Sequence, residues 1–206
     1  METLSPLEAR VLGCLLEKQV LTPDAYPLTL NYLVGACGQK TSREPVMEPQ
    51  EAEVAAALVA LRKKNLAIEN KMHDSRVLKY SHNLAHLGAF TSKEQAALCL
   101  LLLRGPQTGG EIRGRSGRLA DFESVADCES TLAALAEKSC GALAERLPRG
   151  AGEKEARWRE LMSGPPAAAP AATAPKAALE SRVAALESQV LALKEQLQRL
   201  SGGSGS

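Results

Sequence analysis

The feature that most constrains this chain is an internal repeat. The stretch LSPLEARVLGCLLEKQVLT (Leu4–Thr22) aligns with FTSKEQAALCLLLLRGPQT (Phe90–Thr108) at an offset of 86 residues. Each opens with an apolar residue, then a hydroxyl, then a Glu three positions on: Ser5-x-x-Glu8 and Thr91-x-x-Glu94. At that spacing the hydroxyl and the carboxylate satisfy free N–H groups of a first helical turn, so each pair predicts a helix start. A Leu-rich helix follows in both. One fold used twice accounts for the pattern.

The downstream segments repeat more loosely. After the first helix come PLTLNYLVGAC (Pro27–Cys37), the loop QKTSREPVMEP, and EAEVAAALVALRKKN (Glu51–Asn65), whose Val54, Leu58 and Leu61 share one helical face. After the second come GGEIRGRSGRL (Gly109–Leu119), opened by another capping pair at Thr108 and Glu111, and ESVADCESTLAALAEK (Glu123–Lys138). Each unit closes with two extended segments, Leu66–Glu69 with Val77–Ser81 and Leu143–Leu147 with Ala156–Leu161. Turn-rich stretches join them, as a hairpin requires. Three helices and a hairpin predict a winged helix-turn-helix. The expected fold class is therefore mainly α with small β-hairpin wings, in two tandem winged helix-turn-helix domains at residues 1–88 and 89–163.

Beyond them, residues 164–178 (GPPAAAPAATAPKAA) form a Pro/Ala linker that cannot bury a core. Leu179, Val183, Leu186, Val190, Leu193, Leu197 and Leu200 then alternate spacings of four and three, which predicts a short coiled coil over 179–200. A helix this short is marginal unless it associates. Homodimerisation through it is the expectation, with docking onto the chain's own domains or a partner helix as the alternative. Residues 201–206 (SGGSGS) read as a flexible tail.

The phrase LLLRGPQTGGEIRGR is similar to many bacterial winged-helix regulators. The longer runs LEARVLGCLLEKQVLTPDAYPLTLNYLVGACGQKTSREPVM and LLLRGPQTGGEIRGRSGRL closely resemble the YceH family of uncharacterised bacterial proteins. The likeness covers roughly residues 4–163 and reaches into the heptads. It implies paired winged helices and brings no established activity.

Composition narrows the function. Residues 1–88 hold ten basic and ten acidic side chains, and residues 89–163 eleven of each. Affinity for nucleic acid that rests on neutralising phosphates normally shows as a basic excess, and neither unit has one. The five cysteines, Cys14, Cys37, Cys99, Cys128 and Cys140, include no C-x-x-C pair and mostly sit among apolar helical residues, which predicts reduced core thiols. The start METLSPLEAR lacks a basic stretch followed by an apolar one, and the longest apolar run, Ala96–Leu103, is too short for a bilayer. A cytoplasmic protein that does not engage membranes is expected.

Candidate chemistry is thin. GACGQKTS (Gly35–Ser42) brings Gly, Lys and Thr together, but Gln39 separates Gly38 from Lys40 and a helix precedes it, so a helix end at Gly38 replaces a phosphate loop. His82 and His86 have the i, i+4 spacing of metal ligands without an obvious third ligand, and His73 falls in the first wing. No G-x-S-x-G, paired carboxylates or triad-like set is found, so no catalytic, cofactor-binding or metal residues are assigned and no enzyme is expected.

A winged helix usually reads DNA with its third helix. Here the third helices open on carboxylates, Glu48 to Glu53 and Asp121 to Glu129, which would face phosphates. Basic groups gather elsewhere, at Arg62–Lys64, at Lys40 and Arg43, and on the second helix of the second unit. The candidate binding surface is accordingly the loop residues Gln39, Lys40, Thr41, Arg43 and Glu44 with Asn31 beside them, and Arg113, Arg115 and Arg118. Arg113 and Arg118 lie within roughly 140° of each other around a helix, a broad surface rather than a stripe. Charge placement at a helix C-terminus accounts for Arg62–Lys64 without any ligand, and loop hydrogen bonds with an Arg43–Glu44 balance account for the loop. Two functions follow: a platform contacting DNA or a chromosome- or transcription-associated protein, or a protein–protein adaptor that never touches DNA.

Overall fold

The computed structural model describes residues 2–71, 77–150 and 152–164. Among the described residues are six α-helices and five short strands: α1 (Pro6–Leu21), β1 (Leu28–Thr29), α2 (Leu30–Cys37), α3 (Glu51–Lys63), β2 (Ala67–Asn70), β3 (Lys79–His82), α4 (Ser92–Arg104), α5 (Gly109–Ser116), α6 (Val125–Ala136), β4 (Ala144–Arg146) and β5 (Trp158–Glu160). The chain is mainly helical with small antiparallel sheets, and each repeat runs three helices and then a hairpin. None of these helices is long and apolar enough to cross a membrane. The linker beyond Gly164, the heptad segment 179–200 with its seam, and His73 lie outside the described residues.

The three capping pairs start the helices where the sequence places them. Ser5 Oγ accepts the Glu8 N–H while Glu8 accepts that of Ser5, both at 3.2 Å. Thr91 with Glu94 and Thr108 with Glu111 repeat the exchange. Other boundaries shift where a cap was not anticipated. α6 begins at Val125, two residues after the expected Glu123, because Ser124 Oγ accepts the Asp127 N–H at 3.1 Å. α2 begins at Leu30 because Thr29 caps it, and the residues before it are drawn into a sheet.

The repeated helices α1 and α4 pack against one another at the centre. Glu8–Lys18 of α1 and Ala96–Leu103 of α4 are buried on every side, which is why their Leu-rich runs show little amphipathic pattern. Gly13 lets the helices close: a Cβ there would stand 2.8 Å from Leu103 Cδ2. Facing it, Cys99 Sγ donates to the Gly13 carbonyl at 3.4 Å. Apolar side chains from both repeats form one buried cluster, from Leu4 to Met162, and residues 1–164 form one compact unit. The Leu4 N–H donates to the Met162 carbonyl at 2.8 Å, tying the start of the first repeat to the end of the second.

In the first sheet the order is β1-β3-β2, with Leu28 opposite Tyr80 and Ile68 opposite Ser81. The second pairs β4 with β5, Glu145 opposite Arg159. Gln107 bridges β5 by exchanging backbone hydrogen bonds with Trp158 at 2.9 and 2.7 Å. A short extended piece before the second helix thus joins the hairpin in both repeats. Sequence reading misses it because two residues are too few to show alternation.

Candidate functional site

The loop between α2 and α3 is anchored rather than displayed. Arg43 is buried, and the structure corrects its place on the expected surface. Its Nη1 and Nη2 donate to the Glu17 carboxylate at 2.9 and 2.7 Å, Nε donates to the Ala36 carbonyl at 3.2 Å, and Nη2 also reaches Gln39 Oε1 at 3.0 Å. The partner is Glu17 of α1, not the neighbouring Glu44. Burial pushes the Glu17 carboxyl up, but the Arg43 hydrogen bonds and charge, helped by Lys18, hold it below the usual carboxylate range. Burial would lower the Arg43 guanidinium, and Glu17 overrides this and raises it. The pair is therefore fully ionised inside the fold.

Arg10 completes the anchor. It is almost fully buried on α1 and donates to the carbonyls of Cys37 at 3.2 Å and Pro45 at 2.6 Å. The Glu44 N–H donates to the Leu103 carbonyl at 2.9 Å, so the loop also touches α4. Lys40, Thr41 and Glu44 remain exposed and Gln39 is half-buried. Asn31 is exposed on α2, and none of the loop's hydrogen bonds among the described residues involves it.

The basic residues around α5 divide in the same manner. Arg113 donates to the carbonyls of Phe122 and Glu123 at 3.1 and 3.2 Å, clasping the connection into α6. Arg115 donates to Gln107 Oε1 at 2.7 Å. Arg118 is exposed and makes no ion pair among the described residues. On α3, Arg62 pairs with Glu69, and Lys64 binds both Glu8 and the Thr3 carbonyl. Of these cations Arg113, Arg115, Arg62 and Lys64 are engaged within the fold, and among the described residues Arg118 is not.

A different set of cations is left free. On the second hairpin, Arg157 is taken by Glu111 and Glu153, and Arg159 by Glu145. Arg146, Arg149 and Lys154 are exposed and make no side-chain ion pair or hydrogen bond among the described residues. They line an open groove between the hairpin and the first turns of α6, where Val125 and Glu129 form the other wall. Trp158 ties hairpin to helix: it is buried, and its Nε1 donates to Glu129 Oε2 at 2.9 Å. Sequence reasoning overlooked these three because Glu145, Glu153, Glu155 and Glu160 nearly balance the five cations of the hairpin on paper. Their position in RLPRGAGEKEARWRE, around the expected wing turn, was the available signal.

His82 and His86 do not share a helix. His82 lies in β3 and His86 in a short 3-10 turn at Leu84–Leu87. Both His82 ring nitrogens are engaged: Nδ1 accepts the Leu84 N–H at 3.2 Å, which leaves Nε2–H to donate to Gln19 Oε1 at 2.6 Å. Burial pushes this imidazole down to about 4, so it is neutral at physiological pH. Among the described residues no group of three or more His, Cys, Asp or Glu side chains is placed to hold a metal ion.

What this geometry defines is a mainly helical, charge-balanced protein whose buried arginines Arg10 and Arg43 are spent on structure, with three of its free cations together on the second hairpin. The chain belongs to the family described as "Protein of unknown function, DUF480", whose model matches residues 4–153. This is the UPF0502 family of bacterial proteins, which includes YceH. The chain is 55% identical to a UPF0502 protein of Chromobacterium violaceum over 168 residues, covering 82% of this chain and 76% of that one. It is 48% identical to one from Opitutus terrae over 176 residues (85% and 76%), and 44% identical to one from Vibrio campbellii over 187 residues (87% and 86%).

Proposed function

We propose that this chain is a nonenzymatic, cytoplasmic binding protein of two tandem winged helix-turn-helix units, residues 1–88 and 89–163, that associates with DNA. The observation that carries this reading is the trio Arg146, Arg149 and Lys154 on the second hairpin, exposed and unpaired beside α6. Free cations on a hairpin suit contact with a phosphate backbone, which needs no base-edge reading by the acidic helix. Dimerisation through the heptad residues 179–200 belongs to the same proposal and would double the number of phosphates within reach. Binding of the full chain to mixed duplex DNA across a salt series tests the reading. Affinity should fall steeply with salt, and the Arg146→Ala/Arg149→Ala/Lys154→Ala variant should bind more weakly with a shallower salt slope, by about one unit for each phosphate no longer neutralised. Absence of binding at low salt overturns it.

A second reading, a protein–protein adaptor, is favoured by a separate observation. The outer face of α3 and the neighbouring β2 expose Val59 and Ile68 at 48% and 44%, beside Arg62 and Lys63. Isolated apolar side chains are common on surfaces, but two together next to a sheet suit a docking face. Failure of DNA binding with retention of a partner that Val59→Asp and Ile68→Asp release would establish this alternative.

A further inference from the structure

Two thiols meet between α1 and α2 where neither the fold nor the proposed function calls for them. Cys14 Sγ and Cys37 Sγ are 3.8 Å apart, both fully buried, on residues 23 positions apart in the chain. Of the other cysteines, Cys99 donates to the carbonyl of Gly13, next to Cys14, and is the nearby competitor, whereas Cys140 is half-buried and Cys128 is in the core of the second repeat.

The surroundings of the pair are unlike an apolar interior. Arg10 donates to the carbonyl of Cys37 itself, and Arg43 donates to the carbonyl of Ala36 just before it. Burial pushes the Cys14 thiol up, but the Cys37 S–H donated to it and the charges of Arg43 and Arg10 outweigh this and draw it down. Cys37 is pushed up, first by that hydrogen bond and then by burial, so it keeps the shared proton. By contrast burial raises both Cys99 and Cys128, the latter to about 11. A thiol drawn down by nearby cations, with a second thiol donating to it, is the arrangement of a nucleophilic and a resolving cysteine.

We propose that Cys14 and Cys37 form an oxidation site, a dithiol that a hydroperoxide converts into an intramolecular disulfide joining α1 to the end of α2. The Cys14 thiolate attacks the hydroxyl oxygen of the peroxide. The O–O bond breaks, Cys14 becomes a sulfenic acid, and the peroxide is reduced to an alkoxide that takes a proton from solvent and leaves as an alcohol, or as water from hydrogen peroxide. The Cys37 sulfur then attacks the Cys14 sulfur, the S–O bond breaks, and the departing hydroxide leaves as water with the Cys37 proton. Two electrons pass from the two thiols to one peroxide. The sulfurs must approach by roughly 1.8 Å to reach disulfide length. Because both sulfurs are buried, a peroxide reaches them only when the fold opens locally.

The test uses the full chain, folded, with graded hydrogen peroxide, followed by unfolding in an alkylating agent and peptide mapping. The expected product is a thiol-reducible link between the Cys14 and Cys37 peptides, formed in preference to any other cysteine pairing. A Cys37→Ala variant, checked for folding by circular dichroism, should accumulate a sulfenic acid at Cys14 that dimedone traps. Two results would overturn the proposal: complete alkylation of both thiols at doses that oxidise Cys140, or linkage no more selective than in the urea-unfolded chain. Dimedone labelling at other cysteines but not at Cys14 would do the same.

Discussion

Arg43 and Glu17 meet through two parallel hydrogen bonds of 2.9 and 2.7 Å, joining an irregular loop to one of the two central helices of the fold. The loop residues from Gly38 to Gln50 have no regular structure of their own, so this pair and Arg10 supply the anchorage that a helix or strand would otherwise provide.

Removing the Arg43 side chain leaves the Glu17 carboxylate buried with only Lys18 beside it. Arg43→Met should therefore cost about 3–5 kcal/mol in urea unfolding. The double variant Arg43→Met/Glu17→Leu should recover most of that loss, because two apolar side chains need no partner. A single-variant cost no larger than that of an exposed pair such as Arg62 with Glu69 contradicts the anchoring role.

His82 makes stability depend on pH. An unfolded chain takes up a proton at this imidazole near pH 6.5, whereas the folded chain refuses it until about 4. Protons thus favour unfolding across that window: the contribution of neutral His82 is complete above pH 6.5 and declines as pH falls toward 4, by at most about 3 kcal/mol. Denaturation midpoints at pH 7 and pH 5 should differ more in the wild type than in His82→Asn. Equal differences in the two proteins would show that His82 does not titrate in this way.

Gly13 leaves no room for a side chain between α1 and α4. A Val at this position would drive branched methyl groups into Leu103 and Leu102, both buried, and should destabilise by about 1–3 kcal/mol. Leu103→Ala, harmful alone, should lose less in the Gly13→Val background, and a double-mutant cycle measures that coupling. Additive losses would mean that the two sites do not press on each other.

The arginines of the second repeat should separate by role. Arg113→Ala removes the donor to two loop carbonyls and should lower stability by about 1–2 kcal/mol, whereas Arg118→Ala should leave the thermal midpoint within error. A midpoint drop for Arg118→Ala matching that for Arg113→Ala would contradict this division.

Helix starts were the most legible part of the chain, because a cap is a local exchange of hydrogen bonds written in residues three apart. Ser5 with Glu8, Thr91 with Glu94 and Thr108 with Glu111 all form as the spacing requires. The hairpins were legible to within about two residues, since alternation and turn residues are also local signals. The candidate surface was not. Arg43 and Lys40 look alike in a string, yet one is locked to a carboxylate 26 positions away and the other is solvated. Counting charges over a segment fails for the same reason. Arg157 and Arg149 add equally to the sum, but Glu111, 46 positions earlier, neutralises only the first. Charge pairing is a tertiary property, and only the free remainder is offered to a partner.

The contact between Gly13 and Cys99 has a bearing on how the two halves can change over time. These residues occupy matching places in the repeat, so the helices touch through their own counterparts, much as two copies of a molecule touch across an axis of symmetry. A substitution on either hairpin alters one half and leaves the other alone. At this seam no change is private: a bulkier residue in α1 is tolerated when α4 yields space, and the reverse. The halves are free to diverge in what they present outward, while heredity must treat their shared spine as a single inheritance.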